Sequence, residues 1–181
     1  MSDREYAKKA SEERDLLLFL HEHERVTGVN THIVSSRERP DFEVERESKI
    51  FGVELVQVVE SPETRLFSVI MDGHDEMTVS DASDAIQNAI YKKEEKRVSE
   101  GWALPDNSIL IVQLRQCPGE DIFHYWDDTI FDEVCGTGFA EIWLSDHTPE
   151  EPYGTVEIAG IKPARWRGVH RHSLFGTKPY G

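Results

Sequence analysis

Apolar residues recur along this chain in two rhythms. Between about Asp3 and Arg25, Tyr6, Ala10, Leu17 and Leu20 fall near one face of a helix. Ser2 and Glu5 stand at capping-box spacing ahead of it, and Gly28-Val29-Asn30 ends it. Three strand patterns follow. Thr31 to Val34 is short and β-branched, and Phe42 to Glu45 alternates apolar with polar. Ile50 to Val59 is long and rich in β-branched residues, so it is expected to be more buried. The last two lie about five residues apart, a hairpin separation, and Pro40 opens the second, where a missing N–H costs nothing.

Residues 60–80 show no dominant period. A second helix is predicted from a Ser80 or Ser83 cap to Glu100, with Ile86, Ala89, Ile90 and Val98 as its stripe and Gly101 as its stop. Ser108 to Leu114 reads as a strand covered on both faces. Gly119 to Val134 reads as one helix, Phe139 to Leu144 as a strand, and Thr155 to Ile158 as a last strand before an irregular tail. The order α-β-β-β-α-β, then α-β-β, predicts a single layered α/β domain with a mixed central sheet.

Composition adjusts this picture in three ways. The chain has 181 residues, a length that fits one domain. Its longest apolar run, Leu16 to Leu20, is far short of the roughly 20 residues of a membrane span, and no apolar stretch follows the charged N-terminus, so neither a membrane nor a secretory signal is expected. Cys117 and Cys135 form no metal or disulfide pattern, which points to a reducing, cytoplasmic setting.

The net charge of −15 excludes a uniformly basic nucleic-acid coat. That charge is unevenly spread. Residues 1–157 hold all 35 carboxylates and 15 of the 20 basic groups, a net −20, whereas residues 158–181 carry +5. The second segment interleaves Lys162, Arg165, Arg167, Arg171 and Lys178 with Trp166, Phe175 and Tyr180. Arginines among aromatics suit phosphate and base contact. The same charges suit packing against the acidic body, of this chain or of a partner in a homodimer. The chain therefore divides into a body, 1–157, and a basic C-terminal segment, 158–181, packing on it or extending from it.

One constellation carries chemistry. Arg39-Pro40-Asp41-Phe42 opens the second strand, Gly52-Val53-Glu54-Leu55-Val56 lies on the third, and twelve residues separate Asp41 from Glu54. With the α-β-β-β-α-β order over about residues 3–115, this segment resembles the PDF…GxE pattern of the PD-(D/E)XK nuclease-like (restriction-endonuclease-like) superfamily. The resemblance implies that fold, and a Mg²⁺ (or Mn²⁺) site held by Asp41, Glu54 and the Leu55 carbonyl, with a first-helix glutamate, Glu24 or Glu13, as a further ligand. It implies hydrolysis of phosphodiester bonds in a nucleic acid.

The pattern departs from the family at Val56, where a lysine is expected; an apolar side chain cannot orient water or offset developing charge. Some members supply that lysine from the next helix, where Lys92, Lys93 and Lys96 stand, Lys93 three residues beyond Ile90. Gln87 and Tyr91 on that helix resemble the QxxxY element of RecB-type nucleases, which would give Gln87 an orienting role. Each feature also has a plain alternative. Pro-Asp starts turns, and Lys92 to Arg97 reads equally as a solvated helix face. The alternative for the whole is a catalytically inactive nuclease-like fold serving protein interaction or nucleic-acid binding. No HExxH, P-loop or dinucleotide fingerprint competes, and His170 with His172 reads as a surface pair.

Overall fold

A computed structural model describes residues 3–37, 40–59, 77–149 and 154–171. Ser2, Arg39, most of the 60–80 stretch, His172, Phe175, Lys178 and Tyr180 lie outside the described residues. The elements in chain order are α1 (Asp3–Thr27), β1 (His32–Ser36), β2 (Phe42–Arg46), β3 (Lys49–Val58), α2 (Val79–Ser99), β4 (Ser108–Leu114), α3 (Gly119–Tyr125), α4 (Asp128–Cys135), β5 (Glu141–Asp146), β6 (Glu157–Lys162) and β7 (Gly168–His170). The seven strands form one mixed sheet in sequence order. β3, β4 and β5 are parallel, and the strands on either side of them are antiparallel. The protein is thus α/β, with four α-helices and a seven-stranded mixed sheet among the described residues. None of those helices is long and apolar enough to cross a membrane.

Strand alternation divides the core into two layers. Val53, Leu55, Ile109, Ile111 and Trp143 pack with Leu16, Phe19 and Leu20 of α1. Val58, Leu110, Val112, Leu114, Ile142 and Leu144 pack with Ile86 and Ile90 of α2 and with Ile122, Phe131 and Val134 of the α3–α4 pair. β4 is buried along its whole length, as its unbroken apolar run requires between two helical layers.

Several sequence expectations need correction. The buried stripe of α1 is Leu16, Phe19, Leu20 and His23, while Tyr6 and Leu17 are exposed. The stripe was hidden because it carries Asp15, Glu22 and His23, polar residues buried against partners from other elements. In α2 the cap is Thr78, whose hydroxyl accepts from the Asp81 amide; Ser83 is buried instead, and Val98 lies 69% exposed. The 119–134 helix is two helices. Trp126 turns extended, its indole donates to Ser83 Oγ at 2.8 Å, and Asp127 caps α4 through the Ile130 amide. The strand predicted at 139–144 runs from Glu141 to Asp146, and the tail after Ile158 is not irregular at its start: β6 and β7 complete the sheet. A boundary at 157/158 therefore falls inside β6, whose Ile158 to Ile161 are core residues.

β2 and β3 are joined by only two residues, Glu47 and Ser48, both at positive φ (49° and 63°). A two-residue hairpin of the primed type demands this, and Asn-Gly meets the demand at less steric cost. Glu47→Asn combined with Ser48→Gly is expected to stabilise the protein by about 1 kcal/mol, raising the melting temperature by about 2–4 °C. A thermal melt showing no gain would exclude strain at this turn.

Candidate metal and lysine site

The β2–β3 register builds the site. Phe42 pairs with Val53, so Asp41, one step before β2, falls opposite Glu54. Gly52 is required there for a steric reason: a Cβ on it would lie 2.6 Å from Cγ of the Pro40 ring. Pro40 therefore sits directly on the glycine of the Gly-x-Glu run, and this close approach seats Asp41 over β3. The Asp41 carboxylate then accepts the Leu55 amide at 2.9 Å. A strand residue projects its N–H and C=O to the same edge, so the Leu55 carbonyl also faces the Asp41 side.

Glu54 points to the opposite face from Val53 and Leu55, under α2, and is only 6% exposed. Lys93 reaches it there. Ala82, Ile86 and Ile90 are the buried residues of α2 at four-residue spacing, and Lys93 continues their line one turn on. Its ammonium donates to Glu54 Oε1. Glu54 Oε2 is buried and has no hydrogen-bond partner among the described residues. Such an orphan is costly unless something fills the gap.

The electrostatics agree with this crowding. Burial pushes the Asp41 carboxyl above its usual range, and the Glu54 charge adds to the rise; the Leu55 amide, Lys93 and Lys8 pull against it. Lys8, from the first turns of α1, is a neighbour that sequence periodicity does not single out. It lines a cleft of about 520 Å³ with Asp15, Leu55, Val56, Gln113 and Arg115. The buried Asp15 carboxylate anchors that cleft, accepting from Arg115 at 2.7 Å and Gln113 at 3.1 Å. A second cleft, of about 810 Å³, opens between α2 and the end of β3, lined by Val56, Val58, Lys92 and Lys93 among others.

Other expected site residues are placed elsewhere. Gln87 bonds Ser83 Oγ within α2 at 3.1 Å, and Tyr91 reaches across to Glu133 on α4 at 3.5 Å. Lys93 lies six positions after Gln87, which turns their side chains about 120° apart on the helix. Lys92 is exposed at the cleft rim. Glu24 is exposed and accepts from Asn30 at 3.1 Å; it stands 16 residues along α1 from Lys8, about 24 Å. Glu13 is exposed too. The buried carboxylates of α1 are Asp15 and Glu22, and both are paired.

The described part of the basic segment, 158–171, is also remote. β7 lies four strands from β3, about 19 Å across the sheet. Arg171 pairs with Glu120, and Arg167 lies 5.0 Å over the Phe131 ring with a contact to Cys135 Sγ. Arg165 lies 5.9 Å over Trp166 and stays exposed. Two of the three described arginines proposed for nucleic acid thus bind their own chain.

No family model, curated protein or solved structure matches the chain. Among the described residues no group of three or more His, Cys, Asp or Glu side chains is gathered to hold a metal. Mg²⁺, however, is ordinarily held by one or two carboxylates and keeps several waters, using substrate phosphate for the rest. Two carboxylates at facing positions, one of them with an orphaned buried oxygen, and a strand carbonyl, all hard oxygen donors, fit that requirement.

Proposed function

We propose that the protein is a metal-dependent phosphodiesterase of the restriction-endonuclease-like kind, hydrolysing a nucleic acid at the Asp41–Glu54–Lys93 cluster. One observation carries the reading. Glu54 is buried opposite Asp41 with one oxygen on Lys93 and the other unpartnered, and the lysine comes from α2 where Val56 leaves the usual position empty. The element order α1-β1-β2-β3-α2-β4, with β1–β3 antiparallel and β3 parallel to β4, supports the same reading, since it is the order the resemblance calls for.

In this reading Asp41, Glu54 and the Leu55 carbonyl hold Mg²⁺ or Mn²⁺. The ion supplies a Lewis acid and an acidified water. The Leu55 amide fixes the Asp41 carboxylate. The Lys93 ammonium, delivered at Glu54, stabilises negative charge on the phosphoryl oxygens or orients the water. Val56 leaves that corner open, so nothing competes with Lys93 for it. The net −20 of residues 1–157 makes the cation and Lys93 necessary for a polyanion to approach.

The alternative, an inactive nuclease-like fold acting in protein interaction or nucleic-acid binding, is favoured by the ion pair itself, which leaves Glu54 already neutralised. Cleavage of duplex DNA, single-stranded DNA and RNA with Mg²⁺ or Mn²⁺ separates the two. Activity is expected in the wild type, with Asp41→Ala and Glu54→Ala each lowering it by about 10²-fold or more. Wild type and both variants behaving alike on every substrate would leave only the non-catalytic reading.

A further inference from the structure

The face that α1 turns to the sheet changes character along its length. From Leu16 onward it is apolar, with Leu16, Phe19 and Leu20 packed on β3, β4 and β5. Toward the N-terminus the same rows continue as Lys8, Ser11, Glu12 and Asp15, at the three- and four-residue spacing that keeps them on that face. A merely solvated stretch would turn its polar residues away from the sheet. These four instead line the cleft of about 520 Å³ whose other wall is the carboxyl ends of β3 and β4. Gln57 and Gln113, partners in the parallel register, stand there with Arg115 just beyond. The carboxyl ends of parallel strands are where open α/β sheets take ligands, and the volume falls within the roughly 300–1,000 Å³ of ligand sites.

Charge separates this cleft from the larger one under α2. Both have Val56 and Gln57 in their walls, so both adjoin the end of β3. The α2 cleft sets four carboxylates, Asp81, Asp84, Glu95 and Glu100, against three lysines. The α1 cleft sets three cations, Lys8, Arg14 and Arg115, against Glu12 and Asp15. In a chain of net charge −15, a concave surface with an excess of cations has the sign a polyanion needs. Asp15, 5% exposed, holds Arg115 in the wall at 2.7 Å, and Arg14 lies 3.4 Å from its other oxygen. Lys8 pairs with Glu12 at 3.4 Å in the weaker i,i+4 order, lysine first, and at the surface such a pair gives way to a phosphate at little cost.

Leu55 joins the cleft to the cluster. It lines the cleft, and its amide is the one that the Asp41 carboxylate accepts. Lys8 and Arg14 stand six positions apart, about 9 Å along the helix, the axial rise of two to three stacked nucleotides. Given the phosphodiesterase reading of the Asp41–Glu54–Lys93 cluster, on which this rests, we propose that the α1 cleft holds the sugar–phosphate backbone of a single strand beside the bond to be cut, with Lys8 and Arg14 meeting phosphates at its mouth and Arg115 meeting one at its wall. The α2 cleft, with the opposite charge balance, does not carry the backbone.

The test is fluorescence anisotropy of labelled oligothymidylate with the full chain in EDTA, repeated from about 0.05 to 0.2 M salt. Each phosphate contact on a single strand contributes about 0.7 to the slope of log affinity against log salt. Lys8→Ala combined with Arg14→Ala is therefore expected to lower that slope by about 1.4, and the affinity at about 0.1 M salt by about 10-fold or more. Both side chains are exposed, 76% and 59%, so their truncation costs the fold little. Lys96→Ala, at an exposed lysine of the α2 cleft, is expected to leave the slope unchanged. With Mg²⁺ the double variant is expected to raise KM for the oligonucleotide while kcat holds, because the lost contacts lie beside the reacting phosphate and not on it. The proposal is overturned if oligothymidylate fails to bind wild type at about 10⁻⁴ M protein in low salt, if the double variant keeps the wild-type slope, or if Lys96→Ala lowers the slope as much. The phosphodiesterase reading fails separately: a protein that binds the strand through these two cations, yet cleaves nothing with Mg²⁺ or Mn²⁺, overturns that reading and leaves the cleft as a strand-binding site.

Discussion

Lys93→Met is expected to abolish metal-dependent cleavage while leaving metal binding intact or stronger. In the protein without metal, the Lys93 ammonium occupies Glu54 Oε1. A cation arriving at the same carboxylate competes with it, so removing the ammonium removes a competitor. The methionine keeps the unbranched stem that continues the buried line of Ile86 and Ile90, so packing under α2 is preserved. Turnover should fall by about 10²–10⁴-fold, the usual span for losing a positioned charge or proton-handling group. The affinity for Mn²⁺, read by calorimetry, should hold or rise.

A second substitution sharpens this test. Val56 lies on the same face as Glu54 and lines both clefts. Val56→Lys in the Lys93→Met background places an ammonium where the family pattern has one, and is expected to restore part of the lost activity. A structural role for Lys93 predicts no such rescue. Lost metal affinity in Lys93→Met, or full activity in it, would defeat the assignment.

Asp41→Asn has the second largest expected effect, and its two parts oppose each other. Burial and the Glu54 charge raise the Asp41 carboxyl above its ordinary value of 3.8. The folded protein then holds a proton that the unfolded chain gives up between 3.8 and the raised value. Over that window the folded state binds more protons, so stability falls as pH rises and stays reduced above it. An asparagine carries no charge, still accepts the Leu55 amide through its carbonyl oxygen, and offers N–H groups on the side of Glu54. In EDTA at pH 7 the variant should therefore melt higher than wild type, each 1 kcal/mol gained appearing as about 2–4 °C. The two should converge below pH 3.8.

Added Mg²⁺ reverses the order. A ligand at 100 times its dissociation constant stabilises the folded state by about 2.7 kcal/mol; wild type should gain this, and Asp41→Asn should not. A variant that melts lower than wild type in EDTA at pH 7 would show that the carboxylate pair is a structural asset and not a site held under repulsion. The repulsion is what a cation bound at this pair would relieve.

Different parts of the molecule were legible in the sequence to different degrees, for reasons that can be named. The β2–β3 hairpin and the facing of Asp41 and Glu54 follow from local alternation and chain length, because register in a hairpin is set by residues close in sequence. β4 was equally plain, since a run of apolar residues without alternation has only one way to be buried. α1 was predicted in extent and, Leu20 apart, wrong in facing. Its buried side carries Asp15, Glu22 and His23, whose partners Arg115, Thr155 and Glu141 lie about a hundred residues away or more. No local pattern distinguishes a polar residue that will be paired from one that will be solvated. The split of 119–134 was missed for a similar reason: Trp126 leaves the helix to reach Ser83, 43 residues earlier.

The same division runs through the site. The residue types were present in the sequence: Pro40-Asp41, Gly-x-Glu at 52–54, and three lysines on one helix. Which lysine turns inward was decided by the facing of α2, which the buried Ala82, Ile86 and Ile90 set. Gln87, on that helix and with an equal claim from its motif, was turned away by the same rotation. Glu141, which His23, Arg46 and Trp143 surround, shows the principle most clearly. Burial alone would raise its carboxyl, yet the interactions with His23, Arg46 and Trp143 bring it down to about 2.

By itself, the sequence determined the element order, the α/β class and the pairing of Asp41 with Glu54, because these depend on short-range periodicity and steric rules. Only the tertiary structure decided that Lys93 reaches Glu54, that Arg167 and Arg171 are spent on their own chain, and that His23 is buried against Glu141. Those outcomes depend on which faces meet, and facing is fixed by packing between elements far apart in the chain.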